Sequence, residues 1–95
     1  MSRINIRREH DLTREAAREK VDRVADVLTK RFDAGCEWTG DTLAVKHPQV
    51  NGTITLGKRD VVVDAKLGFM LAMVRDRIDA ELVRVLDREF PAPKA

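Results

Sequence analysis

The chain is short of most residues that small proteins use for chemistry or cross-linking. Cys36 is its single cysteine, so no internal disulfide can form. A small domain without disulfides is expected in a reducing compartment. Ser2 is the sole serine and lies at the start of the chain, which leaves no serine for a catalytic triad. Tyrosine is absent, and the aromatics are Trp38, Phe32, Phe69 and Phe90. The core must therefore be aliphatic, and a single nucleic-acid strand would find no row of stacking platforms. The glycines are scattered, with no Gly-rich phosphate loop. No apolar run approaches the ~20 residues that span a bilayer. The opening Met1-Ser2-Arg3-Ile4-Asn5-Ile6-Arg7-Arg8 lacks the apolar stretch of a signal peptide. A cytoplasmic protein without a membrane span is the expectation.

What is present favours a folded, highly charged body. Apolar residues make up 43% of the 95, too many for a disordered chain, while 36% are charged. Eighteen basic residues nearly cancel sixteen acidic ones, for a net charge of +2 and only a weak long-range field. The length fits one domain, taken as residues 1–90, with 91–95 (Pro-Ala-Pro-Lys-Ala) as a frayed tail.

The hydrophobic period changes along the chain. Ile4 and Ile6 alternate with polar residues from Arg3 to Arg8, as in a half-buried strand. Thr13 is placed to cap a helix, with Glu15 in its first turn. Ala17, Val21, Val24, Ala25, Leu28 and Phe32 recur at helical spacing, and Gly35 stands where a C-terminal cap would end that helix. Cys36 to Thr39 and Thr42 to His47 read as a hairpin about Gly40-Asp41. Alternation resumes from Val50 to Leu56 and from Val61 to Leu67, where Val61, Val63, Ala65 and Leu67 share a face. From Gly68 a second helix runs to Phe90, where Pro91 closes it. Its stripe is Leu71, Val74, Ile78, Leu82, Val85 and Leu86, or Leu82, Val85 and Glu89 if the phase drifts. The fold class is α+β in the order β-α-β-β-β-β-α. It is an antiparallel meander of about five strands with two amphipathic helices on one face.

Few residues invite chemistry. Cys36, His10 and His47 are the only soft metal ligands, and none is paired with another as closed zinc sites require. No metal or other cofactor is expected, and the histidines read as surface or turn residues. A Cys36–histidine nucleophile would need an electropositive, partly exposed setting, whereas a buried free cysteine is commoner. Asp76, Asp79 and Glu81 alternate with Arg75, Arg77 and Arg84, the pattern of a solvated, ion-paired helix face. An enzyme is not expected.

Two surfaces remain. Arg3, Arg7, Arg8, Arg14 and Arg18 form a candidate basic patch, although Glu9, Asp11, Glu15 and Glu19 are interleaved with them. Phe69, Met70 and Met73 widen the stripe of the second helix. The ordinary reading of a wide stripe is a helix set deeper in the core. The alternative is an apolar patch suited to a partner or polymer surface.

Four segments carry a family likeness: Arg8-Glu9-His10-Asp11-Leu12, Trp38-Thr39-Gly40-Asp41-Thr42-Leu43, Val50-Asn51-Gly52-Thr53-Ile54, and Val63-Asp64-Ala65-Lys66-Leu67-Gly68-Phe69-Met70-Leu71. In their order and spacing, from about Ser2 to about Phe90, they resemble the small bacterial family of polyhydroxyalkanoic acid system, or granule-region, proteins. The resemblance implies a link to polyhydroxyalkanoate storage granules and brings no catalytic residues. It implies a non-enzymatic accessory protein whose partners are the granule surface or granule proteins; the apolar patch of Phe69, Met70 and Met73, read from the helix stripe, is the candidate contact. The alternative is a small homodimeric binding module that uses the basic N-terminal region for a protein or nucleic-acid partner.

Overall fold

The computed structural model describes residues 2–90. The expected closure of the last helix by Pro91 and the frayed tail 91–95 lie outside them. Strand β1 (Ser2–Glu9) is followed by helix α1 (Arg14–Phe32) and four strands, β2 (Gly35–Thr39), β3 (Thr42–His47), β4 (Val50–Leu56) and β5 (Asp60–Leu67). Helices α2 (Phe69–Ala72) and α3 (Arg75–Glu89) complete the chain. The strands form one antiparallel sheet in the order β1-β5-β4-β3-β2. The chain thus starts at one edge, crosses to the other through α1, and returns by hairpins until β5 meets β1. This is the expected α+β meander with its β-α-β-β-β-β-α order.

Alternation decides which face is covered. Ile4 and Ile6 of β1, Leu43 and Val45 of β3, Ile54 and Leu56 of β4, and Val61, Val63, Ala65 and Leu67 of β5 are all buried on the helix side. Against them pack Ala17, Val21, Val24 and Ala25 of α1 and Leu82, Val85 and Leu86 of α3. Helix α1 lies over β2 and β4, α3 over β1, and α2 against β5. Gly52 lies opposite both Val45 and Ala65. A Cβ there would stand 3.0 Å from the Asp64 carbonyl oxygen and 3.1 Å from the Ala65 Cβ, so β4 needs a bare backbone at this point.

The turns follow local chemistry. Gly40 takes φ +60° at the first position of the β2–β3 turn, as a type II′ hairpin requires. The β3–β4 turn at Pro48-Gln49 is held by the Gln49 N–H, which donates to His47 Nδ1 at 3.0 Å. Thr13 caps α1 as expected, accepting from the Ala16 N–H at 3.2 Å. The other end departs from expectation. Asp33, not Gly35, adopts the left-handed conformation (φ 56°) and returns its N–H to Leu28 and Thr29, which frees Gly35 to begin β2. Aspartate tolerates that conformation better than most residues, so the cap falls two residues earlier.

The second helix is also not continuous. It breaks at Met73-Val74, where Val74 sits at φ −114°, ψ 19°. The carbonyl of Val74 then accepts from Arg77 and Ile78 to start α3. Arg75 Nε donates to the Arg3 carbonyl at 3.0 Å and fixes that start on β1. The break alters the phase: Val74 leaves the core for solvent, Leu71 and Ile78 stay half-buried, and Glu89 is drawn in.

Charge organises both faces. On the open face, Arg3 grips Asp64 through Nε at 2.8 Å and Nη2 at 2.5 Å, and Arg7 Nε reaches Asp60 at 2.8 Å. Each arginine bonds the carboxylate opposite the residue two places further along β1, so the diagonal pairs match the β1–β5 register. Between the helices, Glu89 is 7% exposed and takes Arg23 at 3.4 Å and Lys20 at 3.7 Å from α1. His10 is 3% exposed, not the surface or turn histidine of the sequence reading. Its N–H donates to the Arg59 carbonyl, its Nδ1 accepts from the Leu12 N–H, and its ring lies 5.6 Å from that of Phe90. A turn residue became a buried one because the end of α3 folds over it.

Two outcomes are expected. Gly52→Ala should cost about 1–3 kcal/mol in urea unfolding, through the forced separation of β4 from β5. The hydrogen bond from Arg3 holds the Asp64 carboxyl below the usual carboxylate range. A depressed carboxylate stabilises the fold above that range, and the contribution is lost as pH falls through the depressed value. The stability gap between the wild type and Arg3→Gln should therefore be steady near neutrality and shrink below about pH 4. An unchanged gap at pH 2 would contradict this pairing.

Candidate functional site

The break before α3 determines the most unusual surface of the molecule. In α2 only Leu71 packs against the core cluster, while Phe69, Met70 and Met73 stand 87%, 70% and 85% exposed and Val74 38%. These are the large exposed apolar side chains among the described residues. The ordinary expectation, that a wide stripe sits deeper in the core, fails here. A single turn of helix radiates its side chains around the axis, and of these Leu71 is the one that packs on the core. Gly68 seats α2 at the end of β5, its N–H donating to the Gln49 carbonyl at 2.7 Å. A Cβ on Gly68 would stand 2.4 Å from Gln49 Oε1, so the side chain of Gln49 would have to yield.

Beside this platform runs a groove of about 460 Å³ between the end of α1 and the start of α3. Phe32, Leu71, Val74 and Ile78 give it an apolar lining, with Arg31, Arg77 and Glu81 around it. The sequence reading included all of these residues except Arg31 in a stripe or a charged face. It did not join them, because the groove exists only once α1 and α3 lie side by side. The ion-paired face expected on the second helix is partly present: Arg75 meets Asp76 at 3.3 Å, Arg84 meets Glu81 at 2.8 Å, and Arg31 of α1 also bonds Glu81.

The five arginines of the candidate basic patch are not gathered on one face. Arg3 and Arg7 lie on the open face of the sheet, bonded to Asp64 and Asp60. Arg8 points to the helix side and meets Asp87 at 3.1 Å. Arg14 of α1 pairs with Asp41 at 3.1 Å. Arg18 stacks 4.2 Å over the Trp38 ring, whose Nε1 donates to Asp22 at 2.8 Å. Each cation has a local partner, which lowers its availability to phosphate.

The candidate ligands are equally dispersed. His10 follows the edge strand β1, and Cys36 lies on the opposite edge strand β2. Four strand spacings separate those strands, roughly 19 Å. His47 ends β3 with its Nδ1 committed to the turn. Burial raises the Cys36 thiol above its ordinary value, against a hydrogen bond with Thr29 that lowers it. A raised thiol is a poorer nucleophile at neutral pH. Among the described residues, no group of three His, Cys, Asp or Glu could hold a metal ion. No helix there is long and apolar enough to cross a membrane.

The structure thus defines a small α+β protein with one helix-covered sheet face and an exposed apolar turn. Its sequence matches the family described as "Putative polyhydroxyalkanoic acid system protein" over residues 4–90, and the chain belongs to that family. No curated protein and no solved structure matches the chain.

If the platform is truly outside the core, its loss should leave the fold intact. A Met70→Asp, Met73→Asp double variant should unfold in urea within about 0.5 kcal/mol of wild type, as surface substitutions do. A loss above ~2 kcal/mol would mean that these methionines are buried in solution.

Proposed function

We propose that the protein is a non-enzymatic accessory component of the polyhydroxyalkanoate system that works at the surface of the polyester granule. The exposed Phe69, Met70 and Met73 carry this reading, on a chain that otherwise covers itself with charge. Membership of the family supplies the context. Three large apolar side chains held in water cost free energy that adsorption to an apolar surface recovers, at roughly 25 cal/mol per Å² covered. Methionine suits such a surface because its flexible thioether adapts to irregular packing. Exposed Lys66 and Arg77 flank the platform in sequence, and the ion-paired faces of the body keep a coated particle hydrated and dispersed. The cytoplasm, where such granules are stored, is the proposed location.

The direct test is co-sedimentation of the purified protein with polyhydroxyalkanoate particles at low and high salt, with charged hydrophilic beads as control. Apolar adsorption persists or strengthens with salt, whereas phosphate-type contacts weaken steeply. The proposal expects salt-resistant binding that the folded Met70→Asp, Met73→Asp variant loses. Wild-type protein that remains in the supernatant would refute surface association.

A further inference from the structure

The groove beside the platform has a charge balance of its own. Both oxygens of Glu81 are occupied, Oε1 by Arg31 and Oε2 by Arg84 at 2.8 Å. Arg77 lines the same groove, is exposed, and among the described residues has neither an ion-pair nor a side-chain hydrogen-bond partner. The cavity is apolar along Phe32, Leu71, Val74 and Ile78 and carries an uncommitted guanidinium. From Val74 to Glu81 it follows roughly 10 Å of α3, at ~1.5 Å rise per residue. Its volume of about 460 Å³ falls within the roughly 300–1,000 Å³ of small-molecule sites, which combine apolar walls with a few placed polar groups.

We propose that this groove binds a medium-chain aliphatic carboxylate, its tail along Phe32, Leu71, Val74 and Ile78 and its head on Arg77. An extended chain of about eight carbons matches the ~10 Å of helix along which the groove runs. The planar guanidinium of Arg77 offers the two-point geometry that a carboxylate accepts. Glu81 does not repel the head, because Arg31 and Arg84 already hold its charge. The groove adjoins the adsorbing platform and shares α2 with it, but it uses Leu71 rather than Phe69, Met70 or Met73 and does not depend on the granule reading.

The test is a ¹H–¹⁵N NMR titration of the full chain with octanoate and, separately, with octan-1-ol as its uncharged counterpart. The proposal expects saturable shifts at Arg31, Leu71, Val74, Arg77 and Ile78. Arg77→Gln should weaken octanoate about fivefold, as for one solvent-accessible ion pair, and leave octan-1-ol within about twofold. Val74→Glu, at a partly exposed position, should weaken octanoate more than octan-1-ol by charge repulsion. Met70→Asp, Met73→Asp should retain octanoate binding, which keeps this result distinct from the granule assay. Absence of saturable shifts, or equal effects of Arg77→Gln on the two ligands, would overturn the site. Concentration-dependent shifts of the same residues that octanoate does not displace would assign the groove to a second copy of the chain and likewise overturn it.

Discussion

The ladder between β1 and β5 is the constraint on which the rest depends. The other strand pairings join consecutive strands through short turns. This one joins the first strand to the last, with Ile4 opposite Ala65 and Ile6 opposite Val63. Until it forms, the sheet has no fixed place for α3, since α3 rests on β1 and its first residue, Arg75, bonds the Arg3 backbone. Such long-range closure is entropically costly before its contacts reward it. The sequence supports it twice, with β-branched residues on the inner face and the Arg3–Asp64 and Arg7–Asp60 diagonals on the outer.

Once β1 is in place, the helices become one layer. Glu89 and Glu81 draw α1 toward α3 from two points of the seam, and His10 with Phe90 closes its end. A buried carboxylate such as Glu89 would be destabilising alone, but three cations surround it. The same satisfaction of charge recurs among the N-terminal arginines. The body is therefore highly charged yet largely self-neutralised, and two features stand out against it: the exposed apolar turn α2, and the guanidinium of Arg77, which lies at an apolar groove without an ion-pair partner among the described residues.

Strand alternation was legible in β1, β4 and β5, because a period of two assigns each residue to a face whatever lies across from it, whereas the hairpin of β2 and β3 was read without an inward set. The inward sets Val61-Val63-Ala65-Leu67 and Ile54-Leu56 follow directly. So does the Thr13 cap, which depends on neighbours within one turn. What the sequence hid was tertiary. The helix break at Met73-Val74 contains neither proline nor glycine, and it arises where α3 must turn onto β1. The burial of His10 needs Phe90 from the far end of the chain. The platform was legible in composition but not in exposure, since Phe69, Met70 and Met73 fit a core stripe as well as a surface one. Membership of the polyhydroxyalkanoic acid system family was legible from ordered fragments, although each fragment alone is only turn and strand chemistry.

The central claim is that a rigid body closed by β1–β5 carries α2 as a weakly tethered apolar turn. Native-state hydrogen exchange measured residue by residue tests it most directly. The hydrogen-bonded amides of β1 and β5 around Ile4, Ile6, Val63 and Ala65 should exchange only through global unfolding. Those of Leu71 to Val74 should exchange through local opening, at far lower free energy. Exchange of β1 by local fraying, with α2 protected to the global limit, would contradict the account.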